Sequence, residues 1–291
     1  MKRRMRYNGL MAEGKTVVLY HADCPDGFGG AYAAWKKLGD AADYIPVKHG
    51  KPPPEGFVGA TVYFIDFCYP KETMDAIVSE AGSVTVLDHH EGMKEVVESM
   101  SKYAYDAKRS GATIAWGYFH PGVPAPTLLK YVEDGDLYKF VLPYSRAVLG
   151  YVYSQPFEFA MWENLMKNLE NAEEREKIIA RGIVYSEHFA HLVESIMKKA
   201  ELVRFEGYDC YLAGASSEFT SDVGNGLARA KPPLALILNA RADVIHVSLR
   251  SVDDADVSAI ARKYGGNGHP RAAAFRIRYG DPLPWTPIEK K

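Results

Sequence analysis

Ser83-Val84-Thr85-Val86-Leu87 is a short, β-branched and apolar run that ends abruptly in Asp88-His89-His90. Such a run reads as a buried strand. In an open α/β sheet the carboxyl ends of the strands diverge into a crevice, and ligands bind there. Taken alone, one carboxylate and two imidazoles at that edge amount to a solvated loop. Two earlier strands end in the same kind of residues, and together the three constrain both fold and chemistry.

Thr16 to Tyr20 forms the first of these strands, running into His21-Ala22-Asp23-Cys24-Pro25-Asp26-Gly27-Phe28-Gly29-Gly30 and a small-residue helix over 31–38. The glycines permit a tight strand-to-helix turn with the helix close to the sheet. Ala42 to Val47 is a weaker strand. Thr61 to Ile65 is a clear one ending at Asp66, and Pro70 suits the first turn of a helix through about Glu80. Strands alternating with helices at this spacing imply βαβ units and a parallel sheet.

Ser110 suits the N-cap of a helix containing Trp116, which reads as core, and a helix over 127–132 is expected to stop at Glu133-Asp134-Gly135-Asp136. The pattern over 156–199 is helical. His188 and His191 lie on it three residues apart, which reads as a solvated face. Strands over 209–213, 234–238, 244–249 and 275–278 follow, with helices over 221–230 and 257–264, a glycine-rich turn over 265–270, and a tail after Pro282 expected to be loose. The expected fold is α/β: an N-terminal parallel-sheet domain over 1–155, a helical connector over 156–200, and a smaller C-terminal α/β domain over 201–291.

At 291 residues the chain is long enough for two domains. The formal net charge is −2, so no global positive field draws in long polyanions. An anionic substrate must therefore be recognised locally, which favours a small one and argues against long duplex nucleic acid. No apolar run reaches the length of a membrane span. Met1 to Arg6 is basic without a following apolar region, so it reads as a solvated terminus and not a secretory signal. Three cysteines, Cys24, Cys68 and Cys210, lack CxxC spacing, which points to free thiols and a cytoplasmic setting.

His21, Asp23, Asp26, Asp66, Asp88, His89 and His90 converge on one crevice if their three strands are neighbours. Carboxylates packed together repel and raise one another's pKa, so the set requires cations. Mixed oxygen and imidazole donors suit Mn²⁺, with Mg²⁺ or Co²⁺ as alternatives. The donors outnumber the needs of one ion, and two ions about 3.5–4 Å apart would activate water for attack on phosphorus.

The order and spacing of these motifs resemble the DHH-family phosphoesterases with a C-terminal DHHA1 domain. Leu87-Asp88-His89-His90 matches the naming motif, His21…Asp26-Gly27 the first, Asp66 the second, and Glu133-Asp134-Gly135-Asp136 occupies the place of the fourth. Ser248-Leu249-Arg250-Ser251, Gly265-Gly266-Asn267-Gly268-His269 and Ala272-Ala273-Ala274-Phe275 match the accessory domain. The resemblance implies one ion on His21, Asp23 and Asp66, and a second on Asp26, a bridging Asp66, His89 and Asp134, with Asp136 the alternative to Asp134. It implies that His90 faces the phosphate and leaving oxygen, and that Asp88 orients an imidazole. Pro25 adds a residue between Asp23 and Asp26, and Cys24 reads as a packed structural cysteine.

In the accessory domain, the backbone amides of Gly265, Gly266 and Gly268 can line an anion site, Arg250 can grip phosphate in bidentate fashion, and His269 can donate to phosphate or ribose. The expected activity is two-metal hydrolysis of phosphodiester or phosphomonoester bonds in small nucleotides or short single-stranded oligonucleotides, of exonuclease type. The competing expectations are a pyrophosphatase or polyphosphatase, and a non-catalytic nucleotide-binding protein with a decayed site. Homodimerisation is left open.

Overall fold

The computed structural model describes residues 14–48, 50–252 and 255–288; the basic Met1–Arg6 segment lies outside them. The chain divides into two compact units between Ser186 and Glu187.

The first unit is built on strands β1 (Thr16–His21), β2 (Ala42–Val47), β3 (Thr61–Ile65), β4 (Ser83–Asp88) and β5 (Tyr103–Tyr105), in the order β2-β1-β3-β4-β5. Every pairing is parallel, so the sheet must be covered on both faces. Successive side chains on a strand point to opposite faces, and the two cores separate accordingly. Val18, Ile65 and Leu87 pack under helices α1 (Pro25–Leu38), α4 (Gly111–Phe119), α5 (Thr127–Asp136), α6 (Ser145–Tyr153) and α7 (Phe159–Glu170). Val17, Leu19, Val62, Phe64 and Val86 pack on the other face with Met74 and Ile77 of α2 (Lys71–Glu80) and Val97 of α3 (Lys94–Glu98). The three strands that end in polar residues, β1, β3 and β4, are consecutive in the sheet.

The 156–200 stretch expected as a connector does not stand apart. Trp162 of α7 is fully buried in the first core, with its ring 5.0 Å from Phe28 and 5.9 Å from Phe157. Helix α8 (Ala172–Met197) contains the division between the units. Gly182 brings it against α6, because a Cβ there would meet the Ala147 carbonyl oxygen at 1.9 Å. Helix α6 itself was not anticipated from the sequence. Helix α5 runs through Asp136, where a stop at 133–136 was expected; neither Gly135 nor the three acids break a turn already held by its buried face.

The second unit carries β6 (Glu201–Phe205), β7 (Tyr208–Gly214), α9 (Thr220–Ala230), β8 (Leu234–Ala240), β9 (Val244–Ser251), α10 (Val257–Lys263), β10 (Asn267–His269), β11 (Ala272–Arg278) and β12 (Trp285–Pro287). Its sheet order is β10-β11-β9-β8-β7-β6-β12, with β7 and β8 parallel across the α9 crossover and the other pairs antiparallel. The tail after Pro282 is not loose throughout: Trp285 is buried and Trp285–Pro287 pairs with β6. All three cysteines are free thiols, with Cys210 in the core of this unit. No helix among the described residues is long and apolar enough to cross a membrane.

Trp162 joins α7 to the aromatic packing around α1. We expect Trp162→Ala to lower unfolding stability by about 3–5 kcal/mol, measured by denaturant titration. Trp162→Phe should cost much less, because the indole Nε1 is buried without a hydrogen-bond partner and nothing polar is lost with it.

Candidate metal centre

His21 closes β1, Asp66 follows β3, and Asp88 closes β4 with His89 and His90 next in chain. Because β1, β3 and β4 are adjacent and parallel, these residues share one sheet edge. They lie beside the point where the strand order reverses around β1, the position at which doubly wound sheets open a crevice.

Asp66 occupies the middle. Its backbone is left-handed, with φ at 63°, a conformation that costs free energy for a residue with a Cβ. Its N–H donates to the Leu87 carbonyl at 2.9 Å, and its carboxylate is 2% exposed. Oδ2 lies 3.2 Å from His21 Nδ1, and Oδ1 lies 3.2 Å from His89 Nε2. Burial pushes this carboxyl's pKa up, but the hydrogen bonds from His21 and His89 and the charges of His90 and His21 pull it below the ordinary range.

Asp26, in the first turn of α1, is held at the amino end of α4. Gly111 N–H donates to its Oδ2 at 2.6 Å and Ala112 N–H to Oδ1 at 2.9 Å. Gly111 is required there, since a Cβ would come within 2.6 Å of the Asp66 Cβ and 3.0 Å of Asp26 Oδ2. Glu133 fixes the same helix end by accepting from Ser110 N–H at 3.1 Å and from the Thr113 hydroxyl. Burial first, then the charges of Asp136 and Asp66, raises the Asp26 pKa well above the ordinary carboxylate range.

His89 Nε2 faces three carboxylates: Asp66 at 3.2 Å, Asp136 Oδ2 at 3.5 Å and Asp26 Oδ2 at 3.8 Å. Burial, with the charge of Asp66, lifts Asp136 to a pKa of about 6 against the opposing pull of His89, His90 and His21. His90 Nδ1 lies 2.7 Å from Asp88 Oδ1, which also accepts the N–H groups of His89 at 2.7 Å and His90 at 3.3 Å. Asp88 thereby has the geometry of a carboxylate that orients an imidazole.

Ligand-type atoms of His21, Cys24 and Asp66 form one close group, those of Asp26, His89 and Asp136 a second, and those of Asp66, Asp88, His89 and His90 a third, each within 4.8 Å. The buried Asp88 Oδ2 has no hydrogen-bond partner, and Asp26 and Asp66 are buried beside each other with Asp136. Divalent cations would offset that repulsion, so the donors fit such ions.

The geometry departs from the sequence expectation at three residues. Asp23 is not in the cluster: its backbone is left-handed with φ at 57°, its side chain is 73% exposed, and it pairs with Lys48 Nζ at 2.5 Å. Asp134 is also elsewhere. Its carboxylate accepts from Val141 N–H at 2.9 Å and Leu142 N–H at 3.1 Å, so it holds the loop after α5. Asp136 takes the position by His89 instead. Residues two apart on a helix point about 200° from each other, so only one of the pair can face the strand ends. Cys24, read as a packed cysteine, belongs to the His21 and Asp66 group; its place just ahead of Pro25 and Asp26 was the available signal.

Among the accessory residues, Arg250 on β9 donates from Nη2 to Ser221 Oγ at 3.1 Å and from Nη1 to the Leu249 carbonyl at 3.0 Å. Gly265 ends α10 with φ at 71°. Gly266 and Gly268 let the hairpin close, because a Cβ on either would strike Ala274 O at 2.1 Å or Ala273 Cα at 2.4 Å. These glycines therefore have packing reasons for being where they are. His269 sits half-buried on β10, opposite Ala272.

The comparisons with known proteins agree with this architecture. No family model matches the sequence. The chain is 30% identical to an uncharacterized protein of Acanthamoeba polyphaga mimivirus over 89% of its own length and 66% of that protein's, so it spans just under two thirds of this relative. Among solved structures it is similar to the DHH domain of a member of a family of ribosomal proteins, with TM-score 0.64, 11% identity and coverage of 91% of this chain and 83% of that one. It is also similar to a pGpG-specific phosphodiesterase from Vibrio cholerae, with TM-score 0.52, 14% identity and coverage of 92% and 94%. RecJ from Thermus thermophilus in complex with Mn²⁺ aligns with TM-score 0.52 and 13% identity over 91% of this chain and 50% of RecJ. The fold is thus that of the DHH-domain proteins.

Two substitutions separate the roles of the neighbouring acids. Asp136→Asn should leave the unfolding free energy within about 0.5 kcal/mol of the unsubstituted value while weakening divalent-ion binding measured by calorimetry. Asp134→Asn should do the reverse. Burial opposes ionisation of Asp134, but the Ser145 hydroxyl and the Val141 and Leu142 amides hold its pKa below the ordinary value. The stability it contributes is present above the unfolded carboxyl pKa and is lost as pH falls through the lower folded value. Asp134→Asn should therefore flatten part of the acid limb of a Tm-against-pH curve.

Proposed function

We propose that the chain is a divalent-metal-dependent phosphoesterase of the DHH family with a DHHA1-type second unit, acting on small nucleotides or short single-stranded oligonucleotides. The observation that carries the reading is the convergence of Asp26, Asp66, Asp136, His21 and His89 at the ends of adjacent parallel strands. The pGpG specificity of the Vibrio cholerae phosphodiesterase supports the substrate class, and the Mn²⁺ complex of RecJ supports the choice of ion.

Asp66 would be shared by two ions, with His21 beside one and Asp26, His89 and Asp136 beside the other. Divalent ions, Mn²⁺ first and Mg²⁺ or Co²⁺ as substitutes, would there supply a nucleophile from water near neutral pH and clamp phosphoryl oxygens. The remaining work falls to the chain's own groups. Burial lowers the His90 pKa, but the Asp88 hydrogen bond and the charges of Asp88, Asp66 and Asp136 outweigh it and lift the imidazole to about 9. Oriented by Asp88, His90 would be suited to stabilising a phosphoryl oxygen or giving a proton to the leaving oxygen. The two backbone amides on Asp88 fix the carboxylate that orients it.

In the second unit, Arg250, His269 and the turn over Gly265, Gly266 and Gly268 would hold phosphate or base. Ser221 fixes the guanidinium, and Gly224 lets α9 approach it, since a Cβ there would meet Arg250 Cγ at 2.6 Å. A net charge of −2 favours local recognition of a short substrate over grip on a long strand. A reducing, cytoplasmic setting agrees with three free thiols. Homodimerisation is checked by sedimentation.

The test is hydrolysis by chelator-stripped protein with and without added Mn²⁺, across dinucleotides, short RNA and DNA, phosphoadenosine phosphate, cyclic dinucleotides and pyrophosphate. We expect dinucleotide cleavage that disappears on chelation and returns with Mn²⁺. Asp66→Asn should lower turnover more than about 100-fold with an unchanged circular-dichroism spectrum. Turnover of pyrophosphate alone would overturn the substrate assignment, and full turnover by Asp66→Asn would overturn the metal mechanism.

A further inference from the structure

The ion site beside His21 and Asp66 is short of a ligand. The carboxylate that the sequence offers for it, Asp23, is turned out to Lys48 and is 73% exposed. Cys24 lies on the other side of that left-handed turn, at the N-cap of the 14-residue helix α1. Its sulfur lies within 4.8 Å of both a His21 ring nitrogen and an Asp66 carboxylate oxygen, which are within the same distance of each other. Donors bound to one ion at about 2.0–2.3 Å sit roughly 3–4 Å apart, so a small contraction of this triangle closes it around an ion.

We propose that Cys24 is a thiolate ligand of the divalent ion held by His21 and Asp66, making that half of the centre a mixed sulfur, nitrogen and oxygen site. The assignment rests on the metal-centre reading above and goes beyond it in naming a donor of a different chemical class. The local structure suits an anionic sulfur, which stands at a helix amino end, where the macrodipole favours negative charge. Gly27 lets the start of α1 lie against the end of β1, since a Cβ there would meet the His21 carbonyl oxygen at 2.2 Å. A sulfur donor also biases the site toward softer first-row ions such as Co²⁺ and Zn²⁺ and away from Mg²⁺.

Cobalt(II) titration of the chelator-stripped full chain tests this without an activity assay. Visible d–d bands report Co²⁺ binding, and a near-ultraviolet thiolate-to-Co²⁺ charge-transfer band reports sulfur ligation. We expect both in the unsubstituted protein, in Cys68→Ser and in Asp23→Ala, and loss of the charge-transfer band alone in Cys24→Ser. Co²⁺ binding with no charge-transfer band, or a band that survives Cys24→Ser, overturns the thiolate assignment and leaves the metal centre standing. Absence of any Co²⁺ binding overturns both. Should Cys24→Ser fail to fold, alkylation of the unsubstituted chain decides: Co²⁺ should protect Cys24 from iodoacetamide in peptide mapping, and equal labelling with and without the ion overturns the assignment.

Discussion

The site depends on where the Asp66 carboxylate points. Its two oxygens are claimed by imidazoles from different strand ends, His21 closing β1 and His89 after β4, each at 3.2 Å. Its own backbone is strained into the left-handed region, with φ at 63°. Such strain persists only where the surroundings over-determine it. Here they do, through the N–H bond to Leu87 at 2.9 Å and the approach of Gly111 from α4. A relaxed, extended residue after β3 would carry the carboxylate onward along the strand and leave the two imidazoles without a common partner.

That arrangement is a property of rigid elements. His21, Asp66 and Asp88 sit at or next to strand ends, and Asp26 and Asp136 lie in terminal turns of helices, so each donor inherits the precision of packed backbone. The helices come close because small residues let them. A Cβ on Gly30 would lie 2.2 Å from Ile65 Cγ2, and one on Gly29 would lie 2.9 Å from Ala112 Cβ. Burying carboxylates this way costs free energy that apolar packing elsewhere in the unit must offset.

Much of this was legible in the sequence. The strands of the first unit follow from β-branched runs, and Ala42–Val47 and Thr61–Ile65 match their predicted spans. A parallel sheet follows from strand and helix alternation. Which strands are neighbours does not, since that is fixed by packing between distant segments. Asp23 and Cys24 show the limit most sharply. Sequence spacing favours the acid, but one left-handed residue at Asp23 turns it out to Lys48 and leaves the sulfur with the cluster. The same limit separates Asp134 from Asp136, where helix phase, unknowable until the helix end was located, decides which acid faces inward. In the tail, burial of Trp285 against the second unit's sheet outweighs a loop-like composition.

The loop after α5 explains why an acid that faces away from the cluster still matters to it. Tyr138, Phe140 and Tyr144 all have positive φ, at 53°, 49° and 58°, an expensive density of left-handed residues with bulky side chains. Asp134 absorbs that strain from two directions. Its carbonyl accepts from Lys139 N–H at 2.9 Å and Phe140 N–H at 3.2 Å, and its carboxylate from Val141 and Leu142. The Arg146 guanidinium, 3.8 Å from the centre of the Phe140 ring, fixes the same loop from the other side. Asp136 is the last residue of α5 before this loop, so its inward orientation is sustained by a network in which it takes no part. Two acids two residues apart thus divide the labour, one holding the backbone and the other presenting charge.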